Sequence, residues 1–345
     1  MTPVPAPPRP AGLRRAAAYL PAAALLLAAL CLVSLAFGSR AVPIGQVADA
    51  LLDRANVDPQ IAAIVWNVRL PRTAAALLIG AALGLSGALM QGLTRNPLAD
   101  PGLLGVSAGA SFAIVVAVAL FGASTAPTGL VWYAFAGALG GAAAVHLLGG
   151  LGRGGATPVK TALAGIAVTF LLGSFTSALV LRSPLALDRF RFWAAGSLAA
   201  PDAATLWRVL PLLAAAGVLA LATAPALNSL ALGDDVAAAL GRRVGLVRLR
   251  ATLAITLLAG TAVALAGPIV FVGLVAPHLA RMITGPDHRR ILALTLLGAP
   301  CLLLAADILG RVVARPEEIQ AGIVVAFVGG PFFIALARRR RLAEL

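Results

Sequence analysis

The side chains able to do chemistry are few and gather in one stretch, Gly267 to Arg290, which reads GPIVFVGLVAPHLARMITGPDHRR. It holds His278 and Arg281, then Asp287, His288 and Arg289. A histidine can relay a proton or bind a metal, but a structural or catalytic metal needs about three or four ligands. His278 has no cysteine or carboxylate ligand set beside it, so a packed, hydrogen-bonded histidine is expected. No metal and no cofactor are read here. No nucleophile stands with a base at a readable spacing, so no chemistry on a substrate is expected. The stretch is instead rich in breaks. Gly267-Pro268 should end one helix, and Gly273 and Pro277 should interrupt the next. His278 and Arg281 then fall in sequence otherwise fit for lipid. Polar, kinked sequence at membrane depth is tolerated where it faces protein or water.

An energy source must lie elsewhere. The chain has no G-x-x-x-x-G-K-[ST] phosphate loop; the nearest string, Gly154 to Thr161, places Val159 where the second glycine belongs. A β-carbon there obstructs the backbone wrapping of a phosphate. An ion-coupled carrier needs carboxylates within the membrane. Only Asp100 and Asp307 qualify, both near span ends, and no glutamate falls within an apolar run.

Composition fixes the class. Of 345 residues, 60% are hydrophobic and 12% charged, far from the balance of a soluble domain. Runs of roughly 20 apolar residues, the length of a membrane helix, recur from end to end. The expectation is an all-α integral membrane protein of about ten spans. Residues 1–15 would be a disordered cytosolic tail, 16–337 a single transmembrane domain, and 338–345 a basic cytosolic tail. The formal charge of +14 does not point to nucleic acid, because the basic residues sit in short clusters between apolar runs. Cys31 and Cys301 lie in apolar runs and read as buried small hydrophobes.

In chain order, spans are expected at Ala16–Phe37, Ile64–Leu93, a third ending at Phe121, Leu130–Leu151, Thr161–Leu181, Leu206–Leu227, Thr252–Ala266, Ile269–Ile283, Ile291–Leu309 and Ile319–Ala337. Gly80, Gly84 and Gly87 should allow close helix contact in the second. An interfacial helix is expected at Ile44–Leu52 and a short surface helix within 182–204. Asn96-Pro97 and Asp100-Pro101-Gly102 are turn signals. Residues 228–250 form the longest polar insertion, with a short helix from Gly233-Asp234 to Ala239. An even number of spans puts both termini on one side. The segments then assigned to the cytosol hold 17 of the 27 basic residues, which favours cytosolic termini.

These motifs resemble the permease subunits of ABC importers for iron-siderophores, haem and cobalamin. Gly267, Ile269, Phe271, Val272, Gly273, Leu274, Pro277, His278 and Arg281 match G-x-I-x-F-V-G-L-x-x-P-H-x-x-R, and Asp287, His288 and Arg289 match the D-H-R after it. Asn96 and Pro97 open a match to N-P-L-A-[DE]-P-x-L-L-G-[VI]. Leu232, Gly233, Asp234, Ala237, Leu240 and Gly241 match L-G-[DE]-x-x-A-x-x-L-G. The resemblance runs from about residue 19 to 338. It implies a type II ABC importer permease fold in the cytoplasmic membrane. The partners it implies are two ATPase chains, an external substrate-binding protein and a second permease chain, the last either a copy or a paralogue. Residues 228–250 would be the coupling helices seated on an ATPase. The resemblance further implies that Arg69, Arg72 and Arg311 receive acidic residues of the binding protein. Arginine suits such carboxylate contacts. Two bland readings compete: interfacial snorkelling, and an Asp307–Arg311 pair one helical turn apart. The fifth span would line the path, with an inner constriction at Pro158 and Val159. One departure stands out: the family's E-[LI]-P-[VI]-G before the tenth span is here Glu318-Ile319-Gln320-Ala321-Gly322.

Siderophore, haem and cobalamin permeases share these motifs, and a siderophore is the cargo adopted. An ion-coupled secondary carrier is the alternative from another class, and a non-transporting membrane scaffold a third.

Overall fold

The computed structural model describes residues 11–38, 42–53, 57–122, 127–151, 158–199 and 201–338. The described residues are helical or in connections, with no strand among them. The helices are α1 (Ala11–Ala36), α2 (Ile44–Leu52), α3 (Pro59–Ala63), α4 (Leu70–Thr94), α5 (Val106–Phe121), α6 (Pro127–Gly150), α7 (Pro158–Arg182), α8 (Pro184–Ala194), α9 (Ala203–Ala231), α10 (Asp234–Ala239), α11 (Val244–Ala266), α12 (Val272–Thr284), α13 (His288–Val313) and α14 (Ala321–Arg338). A π-helical turn, Ile64–Arg69, joins α3 to α4. Seven helical stretches are long and apolar enough to cross a membrane; Val106–Phe121, Val272–Thr284 and Ala321–Ala335 are shorter apolar helices. Together they account for the ten expected spans.

The boundaries differ from expectation where a local signal was outweighed. Helix α1 begins at Ala11, so residues 11–15 of the expected tail are helical; residues 1–10 and 339–345 lie outside the described residues. The polar insertion expected over 228–250 shrinks to α10 and its flanks, because α9 runs to Ala231 through Pro225. Helix α11 starts at Val244 and carries Arg248 and Arg250 in its first turns, where long basic side chains reach past the apolar zone. Gly267 does end α11, with φ +76°. Gly273 and Pro277, expected as interruptions, lie inside a continuous α12.

Lipid is as apolar as leucine, so helix association in a membrane rests on close packing and buried polar contacts. Helix α4 is the hub, packed against α9, α11, α12 and α13. Its span is 78% buried, against 17% for α1 and 22% for α7, so α1 and α7 present most of their surface outward. The expected glycines make this approach possible. A β-carbon on Gly80 would lie 2.7 Å from the Pro300 backbone, and one on Gly87 only 1.8 Å from the Gly273 carbonyl oxygen. The irregular connection after α8 is tied to two helix ends: Ser197 N–H donates to the carbonyl of Ala266, the last residue of α11 (2.8 Å), and Gly322 N–H of α14 to the Gly196 carbonyl (3.0 Å). This is how non-helical chain survives at membrane depth. Despite its missing proline, the 318–322 segment is held further by Ile319 N–H donating to the Gly310 carbonyl at 3.1 Å.

Candidate functional site

Helix α4 has 25 residues, or roughly 37 Å at 1.5 Å per residue, and carries a polar, charged cluster at each end. At its start, Arg72 meets α13. The Arg72 guanidinium donates to Asp307 through Nη2 (2.8 Å) and Nε (3.1 Å), and to Glu318 through Nη1 (2.6 Å). Arg311 reaches the other Asp307 oxygen at 2.9 Å. Arg311 also donates to the Ser34 and Phe37 carbonyls, both at 3.0 Å, and to Ser34 Oγ at 2.8 Å. Arg69 donates to the Leu35 and Ala36 carbonyls. The last carbonyls of α1 have no partner within their own helix, and α1 has no basic residue in its last turn. Two arginines from elsewhere in the chain supply both the donors and the positive charge that a helix C-terminus favours.

The sequence reading brings Arg69, Arg72 and Arg311 together, and they are together. The resemblance also implied a docking site for acidic residues of a binding protein; within this chain the three guanidiniums are bonded internally. Arg69, Arg72 and Arg311 are 4%, 6% and 2% exposed. Burial without a carboxylate or carbonyl partner would be prohibitive, so the fold turns them inward. Only Glu318 in the cluster is substantially exposed, with a third of its side chain accessible. Snorkelling is excluded by the same burial, and the pair one turn apart, Asp307–Arg311, is formed. Sequence reasoning missed Ser34 and Thr73, whose hydroxyls bond at 2.8 Å, because a serine in an apolar run carries no pairing signal.

At the far end of α4 the chain turns on Arg95, in the left-handed region at φ +50°. Asn96 caps the next turn, its Oδ1 accepting from Leu98 N–H at 2.9 Å. Pro97 follows, and Asp100 accepts from Gly102 N–H at 2.8 Å. Burial pushes the Asp100 carboxyl above its ordinary range, and the Gly102 N–H offsets part of this. Asp234, the first residue of α10, bridges two helices: it pairs with Arg95 and with Arg248 at 2.6 Å. Gly233 and Gly241 bracket α10 with φ +110° and +78°, a conformation glycine adopts without strain. Ala237 is fully buried, whereas Leu232, Val236 and Leu240 are 65%, 44% and 61% exposed. Val236 on α10, with Leu232 and Leu240 just outside its ends, forms an outward apolar stripe around a short helix otherwise tied down by charge.

The last part of the stretch that opened the sequence reading, Arg281 to His288, lines a cavity with Arg95 and Ala231 at the α10 end of the bundle. Pro277 has no N–H, so the Gly273 carbonyl loses its helical donor. Gln91 Nε2 from α4 points there instead, 3.4 Å from the Gly273 carbonyl and 3.2 Å from that of Leu274. His278 packs edge-on to Phe332. Asp287 caps α13, accepting from Arg289 N–H at 3.0 Å and from Asn228 Nδ2 at 2.7 Å. Asn228 Oδ1 in turn accepts from His288 N–H at 2.8 Å and faces His288 Nδ1 at 2.9 Å. Partial burial pushes the Asp287 carboxyl up. The Asn228 amide, the Arg289 N–H and the charges of Arg290 and Arg289 outweigh that and hold it below the ordinary range. Asn228, near the end of α9, is a partner the sequence reading did not single out. Among the described residues no group of three metal-ligating side chains occurs. Val159, at the start of α7, is 69% exposed and lines a cavity with His146, Asn96 and Arg248. Pro158 is the first residue of α7.

The profile of the FecCD transport family matches residues 26–339. The chain is 50% identical over 307 residues to the ferric enterobactin transport system permease protein FepD of Escherichia coli (strain K12), covering 89% of this chain and 91% of that one. It is 40% identical over 284 residues to the hemin transport system permease protein HmuU of Yersinia pestis, covering 80% and 84%. Among solved structures, a metal-chelate type ABC transporter in an inward-facing conformation superposes with a TM-score of 0.80 at 29% identity, covering 92% of this chain and 98% of that one.

Proposed function

This chain belongs to the FecCD transport family, and from that membership we propose that it carries a ferric siderophore across the cytoplasmic membrane. It is the permease subunit of an ABC importer, an integral membrane transport subunit rather than an enzyme. The observation that carries the cargo reading is the 50% identity, over nearly the full length of both chains, to a ferric enterobactin permease. Haem is the second reading, favoured by the 40% identity to a hemin permease.

The partners follow from the two ends of α4. ATP is hydrolysed by a separate pair of ATPase chains. They dock on the apolar stripe of Leu232, Val236 and Leu240, and Asp234 transmits their movement to α4 and α11 through Arg95 and Arg248. The end that carries α10 and both termini faces the cytosol. The outer end receives the binding protein. Its acidic residue takes the place of Glu318 on Arg72, while Arg69 and Arg311 hold the mouth in shape through the end of α1. Two permease chains enclose the path along α7, with Pro158 and Val159 at its inner constriction.

The test is purification of the chain from its native membrane in mild detergent, with identification of what accompanies it. A stoichiometric ATPase chain is expected. A permease that purifies alone and takes up substrate on an ion gradient after reconstitution would overturn the reading. An attached binding protein would give the cargo by direct ligand binding, with a ferric siderophore expected and haem the outcome that replaces it.

A further inference from the structure

Three side chains at the α10 end of the bundle bury polar atoms that have no partner, and all three line one cavity. Arg281 buries Nε and Nη1, His288 buries Nε2 and Gln91 buries Oε1. Gln91 is fully buried and His288 is 6% exposed. The cavity, about 360 Å³, is also lined by Arg95. Arg281 is half-buried, and guanidinium nitrogens closed off from water without an acceptor are costly. The acids Asp234 and Asp287 at this end are committed to Arg95, Arg248, Asn228 and Arg290.

The unmet needs are of two kinds. Arg281 lacks acceptors. Gln91 Nε2 already points at backbone carbonyls, so its Oε1 lacks a donor. His288 Nδ1 lies against the Asn228 carbonyl oxygen at 2.9 Å and must donate to it, which leaves Nε2 of the neutral ring as an acceptor without a donor. A ligand that satisfies all three carries an anionic oxygen for Arg281 and hydroxyls for Gln91 and His288. We propose that this cavity binds a glycerol phosphate group, the phosphate on Arg281 and Arg95 and the glycerol hydroxyls on Gln91 Oε1 and His288 Nε2. Its source is an anionic lipid headgroup. Met282 and Ile283, next to Arg281, are exposed and apolar, a surface for acyl chains. Under the orientation proposed above this end lies at the cytosolic leaflet, where basic pockets between helices bind lipid phosphates.

The test reads binding rather than uptake, so its failure leaves the transport reading untouched. The full chain is placed in nanodiscs of phosphatidylcholine doped with phosphatidylglycerol or phosphatidic acid. It is then released into detergent, and retained lipid is counted by native mass spectrometry. One phosphatidylglycerol per chain is expected to be retained at least about tenfold over phosphatidylcholine, with phosphatidic acid, which lacks the hydroxyls, well below it. Arg281→Gln should abolish the preference and Arg281→Lys should keep most of it. Soluble glycerol phosphate is the other arm. If that alone lowers the unfolding constant about 100-fold at 100 times its Kd and phosphatidylglycerol is not retained, the site stands and its source is the free ester. Wild-type protein that holds phosphatidylglycerol no better than phosphatidylcholine, with no response to glycerol phosphate, overturns the proposal without any variant having to fold. Equal retention of phosphatidylglycerol by wild type and Arg281→Gln overturns it as well.

Discussion

Asp307 holds two guanidiniums while fully buried itself. Its removal would leave Arg72 and Arg311 buried and short of charge, a change that costs about 3–5 kcal/mol. Asp307→Ala should therefore lower the thermal midpoint of the purified chain sharply, whereas Glu318→Gln, at the exposed edge, should move it little; differential scanning in detergent reads both. The pair with Arg311 was legible because it lies one helical turn apart. The bonds to Arg72, and those from Arg311 to the end of α1, were not, because they join residues more than 200 positions apart. Hence the three arginines could be grouped from the sequence, while their internal partners could not be named. Asp287 contributes a pH dependence of its own. Its folded carboxyl lies below the ordinary range, so its stabilising contribution is present above about pH 3.9, the unfolded value, and is lost as pH falls through the folded one. The stability gap between wild type and Asp287→Asn should be constant from pH 7 to 5 and close on further acidification. A gap that widens there would contradict the assignment.

Helices make the same point at their crossings. Gly80, Gly84 and Gly87 announced a close contact by spacing alone, but not with which helix. The answer is α13 for the first two and the Gly273 carbonyl of α12 for the third. A Gly87→Ala β-carbon would fall on that oxygen, so α4 and α12 must separate, at a cost of about 1–3 kcal/mol or more. The variant should unfold at lower temperature and lose transport. Pro277 misled for a physical reason: its missing N–H reads as a break, yet Gln91 from α4 faces the freed carbonyl and α12 continues. Helix α10 was legible from its flanking glycines. Its outward stripe was not stated, because a six-residue helix has no period long enough to read. Leu232→Asp with Leu240→Asp should prevent co-purification of an ATPase while leaving the permease folded, since both side chains are exposed. Loss of folded permease would show instead that the stripe packs within the chain.

At the scale of the molecule, the ten apolar helices and the family were legible from composition and motif spacing, since span length is set by the bilayer and not by tertiary context. The packing order around α4 required the structure. The arrangement places a charge-locked cluster at one end of α4 and the charge-tethered helix α10 at the other; Asp307 is paired with two arginines and Asp100 accepts from the Gly102 N–H. The proposed function therefore requires that another chain supply the energy. The direct measurement is uptake of radioiron-labelled ferric siderophore into vesicles that hold the permease with its ATPase and binding protein. Uptake should require ATP and both partners, and should persist when an uncoupler collapses the ion gradients. Uptake by the permease alone, abolished by the uncoupler and indifferent to ATP, would contradict the account.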